Sequence, residues 1–167
     1  MLGHAFRVCC FLVACTIGAQ AGELPKPSGP VLLTISGAIE NSNAPGKAEF
    51  DRKMLEGLGL EKVRTSTPWT EGVPEFEGVA MARLLDTVGA TGGWLHAVAI
   101  NDYAVDLEAA EMRRYEVLLA MEQDGKPLRV RDRGSLWVVY PRDQHAELMD
   151  AAYNNRWIWQ VREIQVR

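Results

Sequence analysis

All three cysteines of the 167-residue chain lie within its first 21 residues, at Cys9, Cys10 and Cys15. The same stretch resembles a secretory leader, because a cation at Arg7 is followed by an apolar run and by the small-x-small sequence Ala19 to Ala21. Removal of residues 1–21 would leave a chain without a thiol for a disulfide, for a metal or for catalysis. Such a chain has to be held together by its hydrophobic core, and its length suffices for one domain.

We therefore expect residues 1–21 to be a signal peptide and the protein to be periplasmic or secreted. The apolar run is too short to span a bilayer. As a minor alternative, Leu12 to Cys15 matches a lipoprotein processing box, which would make Cys15 a lipidated N-terminus. The chain has a net charge of −4, and so acidic a protein is not expected to bind nucleic acid.

Residue patterns along the rest of the chain predict an α+β protein of mixed strand order. Prolines in residues 22–30 predict an extended arm, and residues 31–167 are expected to form one domain. A first helix is expected to begin near Pro45 and to end at Gly57, and a second to cover residues 79–88. Strands are expected at residues 31–36, 61–67, 94–100, 115–123, 126–131, 135–140 and 157–166.

Two of these strand patterns carry further expectations. Residues 94–100 are apolar on both faces apart from His96, as in a buried strand, so His96 is interpreted as a hydrogen-bonded core residue rather than a metal ligand. The apolar residues change parity between Val161 and Ile164, which predicts a bulge. After residue 21 the sequence has two histidines and no cysteine, which are too few ligands to predict a metal site. It also lacks the G-x-S-x-G and S-x-x-K motifs of hydrolases.

A cluster of hydroxyl side chains, Thr65, Ser66 and Thr67, ends a predicted strand and is followed by Trp69 in a turn. Hydroxyls are poor metal ligands, but they can bind the polar edge of a small molecule. Trp69 could stack on a flat ligand or cover the hydrophobic core, and the sequence leaves both interpretations open.

Two more polar groups are candidates for binding. Asn101, Asp102 and Tyr103 directly follow the predicted buried strand, where they could meet the donor and acceptor edge of a heterocycle or simply form a turn. Arg131 and Arg133 belong to a row of arginines at every second residue, so in an extended chain they would project to one side and could bind a phosphate or carboxylate. A solvated edge strand is the alternative interpretation of this row.

Four segments occur in an order that resembles the molybdopterin-binding domain of the sulfite oxidase type. They are FEGVAMARLLDTVGA, AINDYAVDL, YEVLLAMEQDGKPLRVRDRGSLWVVYP and RWIWQVREIQV. The most specific parts are the D-G-K-P-L…G-x-L-x-V-x-Y-P hairpin and the terminal W-x-W-Q-x-x-x-I strand. The resemblance extends over residues 31–166 and implies a mixed, barrel-like sheet structure in a single α+β domain.

One departure from this family bears on function. The resemblance implies a cysteine that ends an early strand and ligates molybdenum, but Thr65, Ser66 and Thr67 stand in the corresponding segment. A neutral hydroxyl cannot replace a soft thiolate as a ligand. The chain therefore resembles a branch that lacks the molybdenum-ligating cysteine, and this argues against catalysis.

From the resemblance we expect an exported, non-catalytic protein that binds a pterin, without a tightly bound cofactor or metal. Trp69 would stack on the pterin ring, while Asn101 or Asp102 and the hydroxyls of Thr65 and Thr67 would bind its edge. By analogy with cysteine-free relatives, the protein could report its ligand to a membrane-bound sensor or enzyme partner. The alternative is a molybdenum-cofactor oxidoreductase, or a subunit of one, that carries molybdopterin and holds the metal through the dithiolene alone.

Overall fold

The computed structural model describes residues 24–167 and has an α+β architecture of two β-sheets and three short helices. The strands are β1 (Val31–Gly37), β2 (Lys47–Asp51), β3 (Glu61–Arg64), β4 (Glu75–Ala80), β5 (Trp94–Ala99), β6 (Ala104–Glu108), β7 (Leu118–Gln123), β8 (Lys126–Pro127), β9 (Trp137–Val139) and β10 (Val161–Val166). The helices are α1 (Arg52–Gly57), α2 (Met81–Thr87) and α3 (Ala109–Arg114), and 3-10 turns occupy Val130–Asp132, Arg142–Gln144, Ala146–Met149 and Ala151–Arg156. The expected leader, residues 1–21, lies outside the described residues.

The first sheet has the strand order β2-β1-β10-β5-β6, and only its β1–β10 pair is parallel. In the second sheet β3, β4 and β7 are neighbours, and both β8 and β9 pair with β7. The α+β class and the mixed strand order are confirmed. The expected barrel-like shape is not found, because within residues 24–167 the two sheets remain separate and do not close on themselves.

The inward-facing apolar residues of both sheets pack together in one hydrophobic core. In the first sheet Leu33 and Ile35 of β1 alternate with half-buried or exposed neighbours, as they do in any strand with one covered face. The same alternation holds in β5, where Trp94 is half exposed and His96 is partly exposed. The prediction that β5 is buried on both faces was therefore wrong, since its apolar residues on the outer face meet solvent.

The first helix is shorter than the sequence predicts. Residues Lys47–Asp51 form β2, which pairs with β1 so that Ala48 lies opposite Ile35, and the helix begins only at Arg52. Phe50 is buried, but it belongs to strand β2 and not to the predicted helix. Pairing between neighbouring strands has overridden the local helical pattern here. Helix α2 lies within the predicted range, whereas α3 was not predicted.

The bulge predicted between Val161 and Ile164 is confirmed at the start of β10. Gln160 has a positive φ of 56°, and the register of β10 against β5 shifts between Val161 and Glu163. Trp157 and Trp159 consequently lie outside the strand, in a segment that leads into it. This break in the backbone changes which face successive apolar side chains occupy.

Asp51 connects the residues that precede β1 to helix α1 through hydrogen bonds. Its Oδ1 accepts a hydrogen bond from the backbone N–H of Met54 (2.9 Å), so it is the N-cap of the helix. Its Oδ2 accepts from the backbone N–H groups of Ser28 (2.7 Å) and Gly29 (2.8 Å). The bond from Met54 is the main reason why the pKa of Asp51 is lowered from 3.8 to about 2.

We expect the substitution Asp51→Ala to lower the melting temperature by roughly 4–8 °C, because it removes a helix cap together with the anchor of the preceding residues. Asp51→Asn keeps an acceptor and should cost less. The folded pKa is depressed, so the stabilisation by the charged carboxylate is present above about pH 4 and is lost as the pH falls towards 2. The difference in melting temperature between wild type and Asp51→Asn, followed by circular dichroism, should therefore shrink over that interval.

Candidate functional site

Three indole rings meet at one end of the molecule. The ring centroid of Trp69 lies 5.9 Å from that of Trp157 and 5.5 Å from that of Trp159, with the planes tilted or edge-on. Trp137 lies behind them, with its centroid 6.4 Å from Trp157 and 6.2 Å from Trp159. Trp137 and Trp157 are buried, whereas Trp69 and Trp159 are only partly buried.

A cleft of about 250 Å³ opens beside these rings, and we call it the tryptophan cleft. Its lining residues are Trp69, Ala99, Asn101, Tyr103, Asn154, Asn155, Trp157, Ile158 and Trp159. The volume is close to the lower end of the range for small-molecule sites, about 300–1,000 Å³. A cleft of this size, walled mainly by flat side chains, accommodates one small planar molecule.

The first sheet explains how distant parts of the chain reach this cleft. Strands β5 and β10 are antiparallel with Ala99 opposite Val161, so the end of β5 lies beside the start of β10. The turn after β5 and residues 157–160, which precede β10, therefore lie at the same end of the sheet. The backbone N–H of Ile100 donates to the carbonyl of Gln160 (2.9 Å), and this bond holds the two segments together.

The 3-10 segment Ala151–Arg156 forms another wall of the cleft. The hydroxyl of Tyr103 donates to the backbone carbonyl of Asn155 at 3.3 Å. At the end of this segment, the guanidinium of Arg156 forms an ion pair with Glu111 of helix α3, and the Glu111 side chain is only 10% exposed. Tyr140 also contacts Glu111, at 3.4 Å from hydroxyl to carboxylate, and burial raises the pKa of Tyr140 well above its ordinary value.

Two buried polar atoms of the lining residues have no hydrogen-bond partner within residues 24–167. They are the indole Nε1 of Trp157, a donor, and the side-chain Oδ1 of Asn154, an acceptor. Buried polar groups are nearly always satisfied in folded proteins, so these two atoms need an explanation.

The hydroxyl cluster shapes the loop that carries Trp69 and does not line the cleft. The backbone N–H and the Oγ of Ser66 donate to the carboxylate of Asp143 at 2.7 and 2.5 Å, and the Oγ1 of Thr65 accepts from the Asp143 N–H at 3.2 Å. The Oγ1 of Thr67 accepts from the backbone N–H of Trp69 at 3.0 Å. All three hydroxyls thus have partners within the protein.

The three polar residues of the turn after β5 do not all contact the cleft. Asn101 and Tyr103 line the cleft, and the Oδ1 of Asn101 accepts from the backbone N–H of Tyr103 at 3.3 Å. Asp102, which has a positive φ of 64°, instead accepts a hydrogen bond from Arg162 at 2.7 Å and is 80% exposed. Of the predicted binding residues, the structure therefore brings Trp69, Asn101 and Tyr103 together at one cleft.

The predicted one-sided row of arginines was wrong in its geometry. Residues Val130–Asp132 form a 3-10 turn and Arg133 has a positive φ of 67°, so the arginines do not alternate along a strand. Arg131 is largely exposed, whereas Arg133 donates to the carbonyl of Trp69 at 2.9 Å and lies over the ring of Trp137. Both arginines line a wider groove of about 900 Å³, and Trp159 contributes to the walls of both cavities. Anion binding by Arg131 and Arg133 stays a prediction.

Asn154 and Asn155 line the cleft but were not predicted from the sequence. They lie in a 3-10 segment without periodic apolar residues, where the sequence predicts neither a helix nor a strand. The only local signal was the neighbouring tryptophan pattern, which marks a strand and not a cavity wall.

The described part of the chain has no group of three or more histidine, cysteine, aspartate or glutamate residues placed to hold a metal ion. His96 is partly exposed on the outer face of β5, where its Nδ1 lies 2.6 Å from the Oδ1 of Asp106. The prediction of a core histidine is thus corrected, although its hydrogen bond is present. Among residues 24–167, no helix is long and apolar enough to cross a membrane.

The chain has an α+β fold, and beside its tryptophan cluster lies a cleft of about 250 Å³. Its architecture is similar to that of the sulfane dehydrogenase SoxCD from Paracoccus pantotrophus, with a TM-score of 0.59 and 20% sequence identity. The match covers 80% of this chain but 37% of the SoxCD chain, so the chain spans little more than a third of that protein. At this identity the likeness shows a shared fold. No protein-family model and no curated protein matches the sequence.

Proposed function

We propose that this protein binds a small planar heterocycle of the pterin class, without a covalent bond, in the tryptophan cleft. The observation that carries the proposal is the meeting of Trp69, Trp157 and Trp159 around a cavity of about 250 Å³. Trp69 on the loop after β3 and Trp159 before β10 are both only partly buried, so part of each ring is accessible to a ligand.

Stacking supplies the affinity in this proposal. Contact between a flat heterocycle and an aromatic side chain contributes about 1–3 kcal/mol. The amide of Asn101 and the phenol of Tyr103 are exposed at the cleft and provide polar contacts for the ligand edge. The role in reporting a ligand to a membrane-bound partner rests on the resemblance and on the leader, and it stays a prediction.

A molybdenum-cofactor oxidoreductase is the second candidate, because a dehydrogenase shares the fold. The residues of this chain do not fit the expected ligation of the metal. Residues 24–167 contain no thiol, and Thr65 and Ser66 at the corresponding position are neutral hydroxyls already hydrogen-bonded to Asp143. Elemental analysis of protein from its native host tests this candidate, and one molybdenum per chain would favour it over the first proposal.

We expect Trp69→Ala to weaken the binding of pterin by roughly 5- to 100-fold, because the substitution removes one stacking wall. The measurement is equilibrium dialysis with pterin, with circular dichroism to verify the fold. Trp94→Ala is the matched control, since Trp94 is half exposed on the outer face of β5 and does not line the cleft. Equal affinity of wild type and Trp69→Ala, in folded protein, would contradict the stacking role.

A further inference from the structure

Two residues that line the tryptophan cleft, Asn154 and Trp157, each carry a buried polar atom that has no hydrogen-bond partner among residues 24–167. Trp157 is only 2% exposed, and its Nε1 finds no acceptor in the fold. The Oδ1 of Asn154, three residues earlier, is buried without a donor. Leaving such a group without a partner destabilises the fold, because the group has lost its hydrogen bonds to water and gained none in return. Both atoms are fully covered in the fold. A bound ligand that pairs with both of them, once the covering side chains shift, would remove this cost.

The chemistry of the two atoms restricts the ligand. An indole N–H can only donate, so the ligand must present an acceptor to Trp157. The amide oxygen of Asn154 accepts, so the ligand must present an N–H or O–H to it. Both residues line one cavity with room for a single small molecule. A flat ring that carries an acceptor and a donor on one edge, as a cyclic amide or an amidine does, meets both requirements.

We infer that Asn154 and Trp157 are the specificity-determining residues of the cleft, which select planar heterocycles with a donor and an acceptor on one edge over flat rings that lack the donor. This inference rests on the proposed function, because it requires that the cleft binds a flat ligand. It adds a division of roles: the face of Trp69 supplies affinity for any flat ring, while Asn154 and Trp157 discriminate between rings.

Trp137 supplies a close internal control. Its Nε1 is also buried without a partner, and its ring packs against Trp157 with a centroid separation of 6.4 Å. Trp137, however, is not among the residues that line the cleft. The substitutions Trp157→Phe and Trp137→Phe therefore delete the same unpaired indole N–H and the same volume from one aromatic cluster. Only the first changes a residue that lines the cleft.

The test is equilibrium dialysis of the full-length protein and its variants with two probes, pterin and quinoxaline. Both probes are flat bicycles, but pterin has N–H groups and a carbonyl on one edge, whereas quinoxaline has no donor. We expect wild type to bind pterin more tightly than quinoxaline. Trp157→Phe and Asn154→Leu should each weaken pterin binding by roughly 5- to 100-fold and change quinoxaline binding little. Trp137→Phe should leave the ratio of the two affinities as in wild type.

The possible failures are distinguishable. If wild type binds neither probe, the proposed function fails, and this inference fails with it. If wild type binds both probes and Trp157→Phe changes the pterin affinity no more than Trp137→Phe does, the cleft is a binding site but its selectivity does not come from these atoms. Circular dichroism and melting temperatures identify variants that do not fold, and in that case Asn154→Leu, at a less buried position, decides the question.

Discussion

Gly78→Ala is expected to destabilise the protein by about 3 kcal/mol or more, a large part of the stability of a typical domain. A Cβ atom at Gly78 would lie 2.1 Å from the carbonyl oxygen of Leu119 and 2.6 Å from the Cα of Ala120. Both are backbone atoms of β7, so they can move only if the pairing of β4 with β7 changes. The register of this pair already shifts between Glu77 and Gly78. The measurement is urea unfolding followed by circular dichroism.

Gly57→Ala is the matched control for this substitution. Gly57 is the last residue of α1, and a Cβ atom there would meet nothing within 4 Å. Alanine is also the better helix former, so the variant should be as stable as wild type or slightly more so. If Gly78→Ala and Gly57→Ala unfold at the same urea concentration, the pairing of β4 with β7 does not depend on the absence of a side chain at Gly78.

The second large effect is expected from Glu111→Gln, which should cost about 3 kcal/mol and should also weaken ligand binding. The change leaves the partly buried guanidinium of Arg156 without its carboxylate, and such unpaired charges are strongly destabilising. Arg156 ends the 3-10 segment whose Asn154 and Asn155 line the tryptophan cleft. Glu111 is therefore a positioning residue in our proposal, and pterin affinity should fall in protein that is still folded.

Two controls separate this effect from a general loss of charge. Asp86→Asn breaks the ion pair of Asp86 with Arg113, also on α3, but both of these side chains are more than half exposed, so the cost should be below about 1 kcal/mol. The double variant Glu111→Leu with Arg156→Met removes both buried charges and should be more stable than Glu111→Gln. A double variant that is less stable than the single one would contradict the buried-charge explanation.

The parts of the fold that the sequence predicted well are those in which a local pattern and the tertiary environment agree. Helix α2 and strand β1 have apolar residues at the correct period and bury them, as Leu84 and Leu33 illustrate. The beginning of α1 was misplaced because β2 forms only by pairing with β1, which is a tertiary event. The arginine row failed for a related reason, since a 3-10 turn at Val130–Asp132 breaks the alternation.

The candidate site was predictable in part. Trp69, Asn101 and Tyr103 could be selected because aromatic and polar side chains in turns lack a simple role in the core. Asn154 could not be selected, because its proposed role depends on a buried atom without a partner, and that property exists only in the folded chain. The partners of Thr65 and Ser66 were hidden in the same way, since Asp143 reaches them from far along the sequence.

The place of β10 in the first sheet has a consequence for how this protein is made. Val161–Val166 lies between β1 and β5, so the first sheet divides into two unconnected pairs of strands until that segment has been synthesised. Contacts between residues so far apart in sequence form slowly, because a long loop must first be closed. A nascent chain that ends before residue 161 should therefore be held by chaperones and sensitive to proteases, and the native sheet should assemble only after translation has passed that point.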